Sequence, residues 1–156
     1  MIEVASHHLK QISLHAQMVY PEECCGLLLG LINENSTRLV EVRETENSWD
    51  SPDEKLFLDL VDSTGKNISK HNRFTIAPEI ILKVQKECRD RNLDIIGVYH
   101  SHPDYPAIPS EFDLAIAWSQ YSYIIISLKQ GKITDIRSWK LDDNNQFQGE
   151  IITNVA

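Results

Sequence analysis

The chain has no apolar run approaching the roughly 20 residues that cross a bilayer, so no membrane partner is expected. It is short of positive charge: Lys and Arg number 15 against 23 Asp and Glu, a formal net charge of -8. The basic residues are scattered and offer no electrostatic footprint for nucleic acid. Cysteine is scarce, at Cys24, Cys25 and Cys88. An odd count with two adjacent thiols makes no disulfide framework and fits a reducing cytoplasm. Neither a C-x-x-C pair nor a glycine-rich phosphate loop is present. The opening "MIEVASHHLKQ" lacks a basic region followed by an apolar stretch, so no signal peptide is expected. No repeat or low-complexity tract marks a boundary, and 156 residues suit a single domain over 1–156.

What is present reads as an α/β pattern. Leu9, Ile12, Ala16 and Val19 recur at helical spacing within 5–19, with Ser6 placed to cap. Tyr20-Pro21 ends that helix, because a residue before proline avoids the helical region. "CCGLLLGLI" (24–32) reads as a buried strand and "STRLVEVRE" (36–44) as its hairpin partner. Residues 45–72 form a polar excursion with an apolar island at 56–61, a length that often shapes binding sites. "RFTIA" (73–77) looks like a strand, and 78–92 a helix opened by Pro78 with Ile81, Val84 and Cys88 on one face. "LDIIGVYH" (93–100), rich in branched residues, reads as a central strand. A helix over 110–120, two strands joined at "KQGK" within 121–141, and a short apolar tail that pairs at an edge complete the chain. The expected architecture is one mixed central sheet flanked by helices.

The chemistry gathers in "GVYHSHPDYPAIPSEFD" (97–113). In extended chain His100 and His102 project to the same side. Pro103, Pro106 and Pro109 hold the following loop out of regular structure. Ser110 then opens a helix whose first turn carries Asp113. Two imidazoles and a carboxylate are the donor set of a three-ligand zinc site. Taken alone, His-Ser-His reads equally well as a solvated turn, and Ser110 to Asp113 as a capping box; a cap and a ligand are compatible. Spacing alone leaves Glu22 and Glu23 as an acidic connector between helix and strand. His7, His8 and His15 read as surface or boundary residues of the first helix. Trp49, Trp118 and Trp139 read as packing residues, and Asn47 as part of a polar turn.

The "HSHP" at 100–103 with Ser110-x-x-Asp113, together with "PEECCG" at 21–26, resembles the signature of the JAMM (MPN+) zinc metalloprotease family. Chain length places the resemblance with the short prokaryotic branch. It implies an MPN, cytidine-deaminase-like fold, with His100, His102 and Asp113 as ligands of Zn2+ and metal-bound water as the nucleophile. It implies Glu23 as general acid/base, preferred over Glu22 from the P-x-E-x-C-G register, and Ser110 as an oxyanion donor. It also implies a peptidase or isopeptidase acting on the Gly-Gly tail of a ubiquitin-like sulfur-carrier protein, or another Gly-Gly-tailed protein or peptide. A non-catalytic module that binds such tails around a structural metal, and an amidohydrolase of small substrates, are the alternatives.

Overall fold

The strand that carries the histidines lies near the middle of the sheet. The computed structural model describes residues 1–49 and 69–155, so the apolar island at 56–61 lies outside the described residues. Among them, eight strands form one mixed sheet: β1 (Ile2–Ala5), β2 (Cys25–Ile32), β3 (Thr37–Thr45), β4 (Asp94–Pro103), β5 (Ser122–Lys129), β6 (Lys132–Leu141), β7 (Phe147–Glu150) and β8 (Ile152–Val155). Their order is β7-β6-β5-β4-β2-β3-β1-β8. The helices are α1 (Ser6–Val19), α2 (Pro78–Asp90) and α3 (Glu111–Ile116). None of the described helices is long and apolar enough to cross a membrane.

β7 and β8 occupy opposite ends of the sheet order, yet only Ile151 separates them in sequence. One extended residue spans about 3.3 Å, so the two ends must meet and the sheet curls on itself. The Ile2 amide donates to the Ile151 carbonyl at 2.9 Å, and the N-terminal ammonium lies 3.5 Å from Glu150. The expected tail strand is therefore two strands, one on each side of the seam. β1 was not anticipated; four residues are too short a run for alternation to declare itself.

The two longer helices follow their periodicity. α1 buries His8, Ile12 and Ala16 against the sheet and stops at Val19, before the Tyr20-Pro21 bond. Ser6 does not cap it: β1 runs straight into the helix, Ala5 is the capping position, and the Ser6 hydroxyl donates to Asn154 Oδ1 at 3.1 Å. α2 starts at Pro78 and buries Val84 and Cys88. At the β5–β6 turn, Gln130 and Gly131 take φ of 50° and 79°, the left-handed pair that a two-residue hairpin requires.

Two other expectations are corrected. Residues 73–77 are not a strand. Phe74 and Ile76 alternate inward and are buried, while the segment's backbone meets the Ser48 amide, which donates to the Thr75 carbonyl, and the Asn47 side-chain amide. Alternation here serves burial, with no strand among the described residues alongside it. The helix expected over 110–120 ends at Ile116, where Ala117 is extended and the Trp118 amide donates to the Tyr123 hydroxyl at 2.6 Å.

The sheet separates two apolar clusters. One, under α1, contains Ile12, Leu28, Ile96, Tyr99 and Ile124. The other, under α2, contains Cys25, Leu27, Leu29, Trp49, Phe74, Val84 and Phe112. Strict alternation would put Ile96 on the same side as His100. It does not, because Leu28 pairs with Gly97 and Leu29 with Ile95, leaving Ile96 as an extra residue in a bulge. Beside it Gly97 is obligatory, since a Cβ there would collide with the Ser122 carbonyl of β5.

Candidate metal centre

Downstream of the bulge, β4 alternates cleanly. Tyr99 joins the α1-side cluster, and Ser101 accepts a hydrogen bond from the Cys24 amide at 2.7 Å. Val98, His100 and His102 therefore face the α2 side. His100 pairs with Cys25 on β2 and Ile125 on β5. Continuing that antiparallel register past Cys24 and Ser101 places Glu23 opposite His102, on the face of the histidines. Glu22 falls on the other parity and stays half-exposed, while Glu23 is 1% exposed. The register thus separates two adjacent glutamates that spacing alone could not.

The structure brings four of the expected residues together. His100 Nε2 and His102 Nε2 are 3.0 Å apart. Asp113 sets one carboxylate oxygen against each: Oδ1 lies 3.1 Å from His100 Nε2, and Oδ2 lies 3.2 Å from His102 Nε2. Glu23, His100 and His102 form the group whose donor atoms all lie within 4.8 Å of one another. Asp113 touches both imidazoles more closely but stands farther from Glu23, so the centre is a four-residue cluster with the two carboxylates apart.

Tautomers test whether a cation fits. His102 Nδ1 lies 2.7 Å from the Pro106 carbonyl, which can only accept, so the ring's hydrogen sits on Nδ1. Burial foremost, and the neighbouring His100, push the His102 pKa down, against the contact with Asp113. A neutral His102 then presents a bare Nε2 lone pair to a carboxylate and to the second imidazole. Such convergence of acceptors calls for a positive ion. The 3.0 Å nitrogen separation is near the ~3.3 Å of two imidazoles on one tetrahedral ion with bonds of about 2.0–2.1 Å. The donor set fits a metal.

The surroundings fix each ring and carboxylate. Phe74 stacks on His100 with centroids 4.5 Å apart, and Tyr105 stacks on His102 at 4.0 Å. Asp113 is held by a reciprocal cap: the Ser110 amide donates to Asp113 Oδ2 at 2.9 Å, and the Asp113 amide donates to Ser110 Oγ at 3.1 Å. The cap thus holds the Asp113 carboxylate against both imidazoles. Ser110 Oγ accepts in that bond, which leaves its hydrogen available to a further acceptor.

The two carboxylates are driven apart. Burial, then repulsion from Asp113, raises the Glu23 pKa well above its usual value, against the Tyr105 hydrogen bond and Arg73. For Asp113 burial opposes ionisation, but contact with the two imidazoles, His100 foremost, outweighs it and holds the carboxyl below the usual range. One carboxylate is kept charged beside the imidazoles, and the other is poised to take up a proton.

Several residues resolve to supporting roles. Asn47 donates to the carbonyls of Glu23 and Arg73 and accepts from the Trp49 and Thr75 amides, clamping the Glu23 backbone. Trp49 is buried edge-on to Phe112. Cys25 packs beside Thr45, and burial lifts its thiol pKa to about 12. His8 is buried with Nε2 on the Val40 carbonyl, more enclosed than its helix position implied. His15 meets the Tyr99 hydroxyl at 2.7 Å, and His71 bonds Ser69; neither reaches the centre. Phe74 and Phe112 also wall an apolar cavity of about 510 Å³ beside it. Tyr105 was overlooked in the sequence: an aromatic in a proline-broken loop has no periodicity to reveal what it faces.

A curled mixed sheet carrying a buried His/His/carboxylate cluster at the end of a central strand defines a JAB/MPN-type α/β domain. The family model of prokaryotic homologs of the JAB domain matches residues 5–142, and the chain belongs to that family. A curated relative from Pyrococcus furiosus, named desampylase, is 28% identical over 144 residues, covering 92% of this chain and 84% of its own. A Desulfitobacterium hafniense protein of known solution structure superposes with a TM-score of 0.74 at 25% identity, covering 99% of this chain and 94% of that one. A JAB1/MPN domain protein from Archaeoglobus fulgidus shares the fold at TM-score 0.55 and 16% identity, over 100% and 98% of the two chains.

Proposed function

We propose that this chain, acting as one domain over 1–156, is a zinc-dependent peptidase or isopeptidase. Its substrate is the C-terminal tail of a ubiquitin-like protein, a Gly-Gly-tailed sulfur carrier in the first instance, in the cytoplasm. The observation that carries the reading is the convergence of two imidazole nitrogens and a charged carboxylate beside a second, buried carboxylate whose pKa is raised. Membership in the prokaryotic JAB family and a desampylase relative support the substrate class. Three free, buried thiols are in keeping with a reducing compartment.

His100, His102 and Asp113 would hold the ion, with Asp113 supplying the negative charge that two neutral imidazoles lack. Zinc, when bound there, would polarise the scissile carbonyl and acidify a water. Glu23 takes the proton released as water's oxygen attacks the carbonyl carbon. As the C–N bond breaks, Glu23 returns that proton to the leaving nitrogen. The Ser110 hydroxyl donates to the developing oxyanion, a contribution of about 3 kcal/mol in comparable sites. An extended tail reaches the centre by pairing with strand backbone, which supplies hydrogen bonds without demanding bulky side chains.

The test uses a ubiquitin-like carrier protein extended beyond its terminal Gly-Gly by a reporter peptide, read by intact mass. The zinc-loaded protein is expected to cut after Gly-Gly, and Glu23→Gln to stop cutting while zinc stays bound. Undiminished cutting by Glu23→Gln would remove the proposed mechanism.

A further inference from the structure

Among the described residues, Tyr105 touches both the proposed proton carrier and a proposed metal ligand. Its hydroxyl donates to Glu23 Oε2 at 2.5 Å, and its ring lies on His102 with centroids 4.0 Å apart and planes 15° apart. The other Glu23 oxygen, Oε1, is buried without a hydrogen-bond partner among the described residues. The two oxygens of one carboxylate are therefore not equivalent. Oε2 is engaged by Tyr105, and Oε1 keeps its lone pairs free in a carboxylate that lies within 4.8 Å of both imidazoles.

The loop behind Tyr105 is built to hold it. Asp104 takes φ of 63°, a left-handed conformation unusual outside glycine. It is kept there by three bonds: its amide donates to the Leu128 carbonyl at 2.7 Å, and its carboxylate accepts from the Tyr20 hydroxyl and the Gln130 amide. The Tyr105 carbonyl accepts from the Ser127 hydroxyl at 2.6 Å. The next residue, Pro106, supplies the carbonyl that fixes the His102 tautomer. Contacts from α1's end, β5 and the β5–β6 turn converge on one ring position.

We propose that Tyr105 is a positioning residue for the reaction. Its hydroxyl locks Glu23 so that Oε1 alone exchanges the proton, and its ring keeps the His102 imidazole in the plane that aims Nε2 at the metal. The proposal rests on Glu23 being the proton carrier, as set out above. A free carboxylate turns about its terminal torsion and presents either oxygen in either direction. With Oε2 tied, that rotation is lost before substrate arrives, and misplacement of about 1 Å is enough to cost a reaction some hundredfold.

The experiment compares Tyr105→Phe, Tyr105→Leu and Glu23→Gln on the extended carrier protein, with zinc affinity measured in parallel by chelator competition. Phe keeps the ring and removes the hydroxyl. It is expected to lower kcat by about 10- to 100-fold, leaving KM and zinc affinity within about twofold. Leu removes the stacked ring as well and is expected to weaken zinc binding in addition, by up to about tenfold. A structural filler would show a different pattern: Phe behaving like the parent and Leu changing only the thermal midpoint. If Glu23→Gln is inactive but Tyr105→Phe keeps parental kcat, the positioning role is overturned and Glu23's role survives. If Glu23→Gln itself cuts at the parental rate, both fall together.

Discussion

Side chains of β4 that point toward α1 are sealed, and those that point toward α2 face the candidate metal centre and an apolar cavity. Ile96, Tyr99 and Ser101 end in apolar packing or in hydrogen bonds to His15 and to the Cys24 amide. Val98, His100 and His102, on the opposite side, face Phe74, Asp113, Glu23 and an apolar cavity of about 510 Å³. The same ten residues make both faces. The difference teaches that the two polar residues of the α1 side are satisfied locally, as buried polar groups ordinarily are. On the other side Glu23 Oε1 and His100 Nδ1 are buried without partners among the described residues.

If the faces are independent, changes on one side should alter turnover and changes on the other should alter folding. The largest effect is expected from Glu23→Gln, which keeps the side chain's shape and removes its proton-carrying capacity. Turnover should fall about 10²- to 10⁴-fold, with the thermal midpoint no lower than the parent's. A parallel loss of folding would show that Glu23 belongs to the sealed scaffold after all. Next is Leu28→Ala on the α1 side, fully buried in the dry cluster. It should cost about 2–5 kcal/mol in denaturant unfolding while leaving turnover per folded molecule unchanged. A matching drop in turnover would mean the sheet transmits packing defects to the centre.

A smaller effect is expected from pH at His15. Burial lowers its pKa below 6.5, against the charge of Glu44. The unfolded chain therefore binds a proton that the native state refuses as pH falls below about 6.5, and stability drops on acidification. His15→Gln should flatten that part of the stability–pH curve without changing activity near neutrality. The smallest expected signal is from the thiols of the β2 entrance. Burial raises both Cys24 and Cys25 to about 12, so at pH 8 only about 10⁻⁴ of each is thiolate. Alkylation should await unfolding, and rapid labelling of native protein would show that this end of the sheet opens.

Legibility in the sequence tracked how local each cause was. α1 and α2 were readable because Ile12 and Ala16, or Val84 and Cys88, mark a buried stripe within a few turns of chain. His100 and His102 were readable as neighbours because strand alternation is itself local. Phe74 misled, since its alternation with Ile76 is the same whether or not a partner strand lies alongside. Glu23 was placed only by resemblance: its position opposite His102 depends on a register between segments far apart in sequence. Tyr105 carried no local signal, because its meaning lies in reaching Glu23 across the loop.

By itself the sequence determined an α/β chain, a same-face histidine pair and a capped helix start bearing Asp113, all properties of contiguous residues. Only the tertiary structure decided which face of the sheet those histidines occupy, through the extra residue at Ile96, and which of two adjacent glutamates joins them. The physical reason is that a strand's period of two makes facing a matter of parity, and one bulged residue, invisible in composition or periodicity, inverts it.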